Sequence, residues 1–170
     1  MRTTRLHDAF LDRLDRHRGI LVRVAGAYCR EAAAREDLMQ EIIVQLWRSY
    51  RRFDERATFS TWMYRIALNA AISFSRREAR AAERVELVEG EALERLGGSQ
   101  EAKNDDAFEM VGALVERLDG LNRALMLLYL DDNSYAEIAS ILGISETNVA
   151  TKISRIKQRL KREIAPQPRT

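Results

Sequence analysis

Proline occurs only at Pro166 and Pro168, so every residue before them keeps the amide hydrogen that a helical ladder needs. Apolar residues recur at three- and four-residue steps rather than in alternation, which is the period of a helix with one buried face. Met39, Ile42, Ile43, Leu46, Trp47 and Tyr50 mark the clearest such stripe. Phe59, Met63, Ile66, Ala67, Ala70 and Phe74 mark a second. Shorter stretches near residues 6–14 and 20–29 follow the same rule. The chain is therefore expected to be all-α.

Its organisation follows from where the charges sit. Residues 86–109 hold eight acids against Arg95 and Lys103, and include Gly97, Gly98 and Ser99. Such a segment reads as a linker with a helical start. Helical spacing returns with Phe108, Val111, Val115 and Leu118, and again over residues 121–130. The expected division is a four-helix domain over 1–81, an acidic linker over 82–107, a second helical domain over 108–164 and a tail over 165–170. With 46% hydrophobic residues the chain can bury two cores, and with a net charge of only +2 any nucleic-acid role must rest on local patches.

The strongest local signal is SYAEIASILGISETNVATKISRIKQRLK, residues 134–161. Ser134 and Glu137 form the S-x-x-E pattern of a capping box before Tyr135, Ile138, Ala139 and Leu142. Ala139 is small where two helices would cross. Gly143 suits the left-handed conformation that closes a helix, and Ser145 can cap the next. The following helix would bury Val149, Ile153, Ile156 and Leu160. Its opposite face presents Asn148, Thr151, Arg155, Gln158 and Arg162, and residues 150–163 contain six bases and one acid. Two helices joined by a glycine turn, the second polar and basic outside, describe a DNA-reading helix-turn-helix. Lys152, Lys157, Arg159 and Lys161 suit phosphates. Thr151, Ser154 and Arg155 suit base edges in the major groove.

Two earlier stretches carry further chemistry. REDLMQEIIVQLW, residues 35–47, sets Glu36, Asp37, Gln40 and Glu41 opposite its apolar stripe, where they can pair with a partner's basic side chains or simply solvate the helix. FSTWMYRIALNAAISFSRRE, residues 59–78, sets Arg65, Asn69, Ser73 and Arg76 in a polar seam beside its apolar one, with Arg77 next to it. An asparagine amide offers a donor and an acceptor to an exposed base edge. Phe53, Trp62 or Tyr64 could flank an unstacked base, although Phe59 and Trp62 also suit a core.

EDLMQE, then FSTWMYRIALN, then an acidic linker, then SYAEIASILGIS with a basic helix: this order resembles the extracytoplasmic-function (ECF) group of bacterial RNA polymerase sigma factors. The resemblance runs from about Leu6 to Ile164. It implies a transcription initiation factor that keeps only the second and fourth sigma regions. Glu36, Asp37, Gln40 and Glu41 would then dock on the clamp helices of core RNA polymerase, and the second domain would approach the flap region. Asn69 aligns with the asparagine that lines the pocket for a flipped non-template base. The loop over residues 50–58 would shape that pocket, with Phe53, Trp62, Arg65, Ser73, Arg76 and Arg77 as −10 DNA contacts. Asn148, Ala150, Thr151, Lys152, Ser154, Arg155 and Gln158 would face the −35 element. The acidic linker would thread the polymerase's basic channels. An anti-sigma factor is implied as a restraining partner.

Two departures bear on specificity. NVATK stands where many members carry a Thr-Val-Lys/Arg-Ser-Arg run, so Ala150 occupies the place of a basic base-reader. Ile156 stands for a frequent alanine, followed by KQRLK rather than an arginine-rich turn.

Other function classes find little support in the residues. The only histidines, His7 and His17, face no serine motif or carboxylate pair, and no glycine-rich phosphate loop or HExxH occurs. Enzymatic activity, cofactors and metals are thus not expected. Cys29, the single cysteine, cannot form an internal bridge and suits a small buried apolar role in a reducing compartment. No run approaches a membrane span, so a cytoplasmic location is expected. The alternative is a self-sufficient helix-turn-helix regulator whose N-terminal domain dimerises or senses a ligand.

Overall fold

The computed structural model describes residues 2–89 and 112–164. The chain divides into two compact units, the first holding helices α1–α4 and the second α5–α8. All regular structure among the described residues is helical. Of the expected linker, residues 82–89 continue the last helix of the first unit. Residues 90–107, together with Phe108, Val111 and the tail, lie outside the described residues.

In the first unit, α1 spans Arg2–Arg16, α2 Arg18–Tyr28, α3 Ala32–Tyr50 and α4 Phe59–Glu89. Helices α2, α3 and α4 pack against one another, and α1 lies on α2. Phe10 carries α1 into the core, with its ring 5.1 Å from those of both Trp47 and Tyr50. Leu21, Leu38, Ile42, Leu46, Met63 and Leu68 are fully buried, each worth about 1.5–3 kcal/mol relative to exposure. Ala67 and Ala71 are also fully enclosed, and their small side chains let neighbouring helices approach α4 closely. Cys29 is buried at the end of α2.

In the second unit, residues 112–116 form the described part of α5, followed by α6 (Gly120–Leu130), α7 (Tyr135–Leu142) and α8 (Glu146–Ile164). Asp119 caps α6 by accepting from the Asn122 amide at 3.0 Å. The Ser134–Glu137 capping box forms: the Glu137 amide donates to Ser134 Oγ at 3.2 Å, and the Ser134 amide donates to Glu137 Oε2 at 2.7 Å. Gly143, at φ 68°, closes α7 and sends its N–H to the Ala139 carbonyl at 2.9 Å. Ser145 Oγ accepts from the Asn148 amide at 3.2 Å and so caps α8. Val149, Ile153, Ile156 and Leu160 are all buried, against α6 and α7.

The capping box makes α7 sensitive to acid. The Ser134 backbone N–H, and then its hydroxyl, hold the Glu137 carboxyl below its ordinary value of 4.5. A carboxylate whose pKa falls on folding stabilises the fold above its unfolded pKa and loses that contribution as pH drops through the folded one. Amide-exchange protection in the first turn of α7 is therefore expected to decline below about pH 4.5 in the native chain. Glu137→Gln, which cannot titrate, is expected to start lower at neutral pH and show no such step, as NMR exchange across pH 3–7 would reveal.

Candidate nucleic-acid interface

The N-terminal half of α8 projects its polar residues outward. Asn148, Thr151, Ser154, Arg155 and Gln158 are exposed, while Ala150 and Lys152 are half-buried. Thr151 donates its hydroxyl hydrogen to the Thr147 carbonyl at 2.9 Å, which leaves its oxygen as an acceptor. The phosphate-suited bases divide more unevenly. Lys157 is turned onto Tyr129, its Nζ 3.9 Å from the ring centroid and donating to the hydroxyl oxygen at 2.5 Å. Arg159 pairs with Glu163 at 3.0 Å. Lys161 borders an open cleft of about 360 Å³ with Tyr135, Ser154, Lys157 and Gln158. Sequence alone missed Tyr129, because a partner 28 residues away leaves no periodic trace.

In the first unit, α3 shows a continuous outward face. Glu36, Asp37 and Gln40 are exposed and Glu41 half-buried. Among the described residues the side chains of Glu36, Asp37 and Gln40 have no hydrogen-bond or ion-pair partner. Glu41 is engaged by Arg77 of α4 at 2.6 Å and by Gln45 at 3.2 Å. Val44, 45% exposed, continues the same strip at the i+3 and i+7 steps from Glu41 and Asp37. It was not singled out from sequence, where it looks like one more core residue.

On α4, Arg65, Asn69, Ser73 and Arg76 are all exposed and fall on one side of the helix by their spacing. The Asn69 amide has no partner among the described residues. Arg77 lies to the side of this strip, tied to Glu41 and 5.6 Å over the Phe74 ring. Trp62 begins the strip and is half-buried in an aromatic cluster: its ring is 5.0 Å from Phe53, 5.3 Å from Phe59 and 6.2 Å from Tyr50. Phe53 is also half-buried, with its plane within 16° of the Tyr50 ring. Tyr64, raised from sequence as a base-flanking ring, is 5% exposed and faces the core instead. A one-residue step along a helix turns a side chain by about 100°, which suffices to take Tyr64 off the strip.

The loop over residues 51–58 joins α3 to α4 beside these rings. It starts as a turn, with the Arg52 and Phe53 amides donating to the Ser49 and Tyr50 carbonyls. Asp54 accepts from the Arg56 amide and pairs with its guanidinium, and Thr58 caps α4 through the Thr61 amide. Arg13 of α1 pairs with Glu55 at 2.5 Å, which raises the Arg13 pKa above its ordinary value. Among the described residues, no group of His, Cys, Asp and Glu could hold a metal ion.

One unit is thus a helix-turn-helix, and the other carries an exposed polar seam beside clustered aromatics. Residues 14–81 match sigma-70 region 2, and residues 108–160 match sigma-70 region 4. The ECF RNA polymerase sigma-E factor of Escherichia coli K12 is 29% identical over 140 residues, covering 76% of this chain and 73% of that one. Its counterpart in Haemophilus influenzae is 26% identical over 156 residues, covering 85% and 82%. Among solved structures, the sigma factor RpoE bound to the anti-sigma factor NepR from Bartonella quintana superposes with a TM-score of 0.71 at 18% identity, covering 93% of this chain and 99% of that one. CnrH bound to the cytosolic domain of CnrY gives 0.66 at 24% identity, covering 93% and 88%. The chain belongs to the sigma-70 family, as a two-region member of the ECF group. It is a transcription initiation factor, and the self-sufficient regulator is not favoured, because its first unit matches a sigma region.

Proposed function

We propose that the first unit docks on core RNA polymerase through Glu36, Asp37, Gln40 and Glu41 of α3 and opens the −10 element with α4. Asn69 takes a flipped non-template base at its amide. Arg65, Ser73, Arg76 and Arg77 hold the strand's backbone, and Phe53 and Trp62 wall the pocket with the 51–58 loop. The second unit reads the −35 element with Asn148, Thr151, Ser154, Arg155 and Gln158. Half-buried Lys152 and Ala150 flank that surface, and the flap region of the polymerase steadies it. The observation that carries this assignment is the exposed, uncommitted Asn69 amide in a basic strip beside half-buried rings. Such a site offers a hydrogen-bond pair, a counter-charge and a stacking wall together.

Physical cost explains the dependence on a larger machine. Flipping a base costs a few kcal/mol of lost stacking, which a small domain with one shallow surface offsets poorly. The free chain should therefore bind duplex promoter weakly, and the polymerase supplies the remaining contacts and all the chemistry. The protein would work in the cytoplasm with the polymerase. No helix among the described residues is long and apolar enough to cross a membrane. An anti-sigma partner, as NepR is to the Bartonella quintana sigma factor, would restrain it by covering its polymerase- and DNA-facing surfaces.

Run-off transcription on genomic templates, with purified core polymerase and with or without this chain, tests the assignment. Discrete starts that appear only with the chain are expected. Tight, sequence-specific binding of duplex promoter by the chain alone would contradict it.

A further inference from the structure

Loop 51–58 holds one residue in a conformation that side chains seldom adopt. Glu55 has φ 59°, in the left-handed region where a non-glycine residue persists only if its surroundings over-determine it. What over-determines it comes from a helix far away in sequence. The Arg13 guanidinium pairs with Glu55 Oε1 across 42 residues. It also lies 5.5 Å from the Phe53 ring and 5.9 Å from the Phe59 ring, at the start and just past the end of the loop. The same stretch meets the rings a second time: His17 sits with Nδ1 2.8 Å from the Arg13 carbonyl and its ring 5.1 Å from Phe59. One cation thus touches the carboxylate at the middle of the loop and an aromatic ring at either side.

We infer that Arg13 is a positioning residue for promoter opening: a latch from α1 that holds loop 51–58, and with it Phe53, in the shape that receives a flipped base. The inference rests on the proposed role of that loop. Arg13 needs no contact with DNA to act, since holding a loop in its bound shape raises affinity by reducing the ordering still to be done. The pair is only partly screened on the Arg13 side, at 35% exposure, and 66% exposed on the Glu55 side. Its contribution should therefore weaken with salt, while the ring contacts persist.

The test has two independent readouts on the full chain. Arg51, Arg52 and Arg56 place tryptic sites within the loop, and cleavage there tracks the population of the open loop. Arg13→Met and Glu55→Gln are each expected to speed cleavage at these sites about tenfold, with Arg13→Lys close to the native rate. In holoenzyme, selection from single strands randomised across the −10 register should lose about tenfold in discrimination at the flipped position in Arg13→Met. Core affinity should stay within about twofold, and Arg13→Lys should restore the discrimination. Native-rate cleavage in both Arg13→Met and Glu55→Gln overturns the latch. Faster cleavage with unchanged base selection keeps the latch but overturns its role in promoter opening. Cleavage rising equally at sites throughout the first unit shows a general stabilising residue and overturns the inference as well.

Discussion

Asn69→Ala is expected to lower open-complex formation at a promoter found by run-off transcription roughly tenfold to a hundredfold, while leaving core-polymerase affinity within about twofold. The size follows from the chemistry removed. An amide that both donates to and accepts from one base is worth about 1–3 kcal/mol of discrimination. In the proposed pocket its removal would leave the base edge unpaired beside the Phe53 and Trp62 rings. The selectivity of the effect follows from position: Asn69 is exposed on α4, whereas Glu36, Asp37 and Gln40 are exposed on a different helix, α3. An exposed helical asparagine contributes little to stability, so Asn69→Ala should melt close to the native temperature. Permanganate reactivity of unpaired thymines gives the first quantity and fluorescence titration of core the second. Arg65→Ala provides the contrast, because deleting a cation proposed to hold the strand's backbone should weaken opening evenly across sequences. Equal loss of opening and core binding in Asn69→Ala would remove it from the pocket.

The helix-turn-helix of the second unit was legible almost to the residue, for a reason that lies in the range of its interactions, while Leu118, expected on the unit's first helix, lies past the end of α5. The Ser134–Glu137 box, the Gly143 stop and the Ser145 cap are rules spanning three or four residues, and all three form. The buried stripe of α8 is the one its spacing gave. In the first unit periodicity found the face of α3 but not its centre. Leu38, Ile42, Leu46 and Tyr50 are buried, while Met39, Ile43 and Trp47, expected on the stripe, are half-buried. A helix packed against two neighbours buries a broad arc, and a run as apolar as this one lets the arc rotate by a residue. Helix α1 extends beyond the expected residues 6–14 at both ends because its outer turns are polar. What no local rule could reach are the pairs that fasten elements distant in sequence: Arg13 with Glu55 of the 51–58 loop, Glu41 with Arg77, Lys157 with Tyr129. Each joins residues 28 to 42 apart in sequence, so it exists only once the helices have packed. Two of them alter a functional assignment. Lys157 is less available to phosphate than its sequence suggests, and in the proposed docking Glu41 would meet the polymerase already holding Arg77.

That last pair determines which residues best test the docking face. Removing Glu41 would also release Arg77, mixing a weakened polymerase interface with a freed cation beside the DNA strip. Asp37 and Gln40 have no such entanglement among the described residues, and they lie one helical step apart on the same exposed face. The double variant Asp37→Ala, Gln40→Ala is therefore expected to weaken core binding by about a hundredfold, two central side chains of ordinary hot-spot size acting on one interface. Neighbours this close do not add independently, so the two single-variant effects should not sum in free energy to that of the double variant. The defect should fall on the dissociation rate rather than the association rate, as it does for most short-range interface interactions. Mass action then separates this defect from that of Asn69→Ala. Raising the concentration of the double variant should restore open complexes to the native level, because the holoenzyme it forms has an intact pocket. No concentration of Asn69→Ala should do so. If saturating double variant still fails to open promoters, the α3 face acts on the DNA step itself, and the division between docking and melting helices would have to be redrawn.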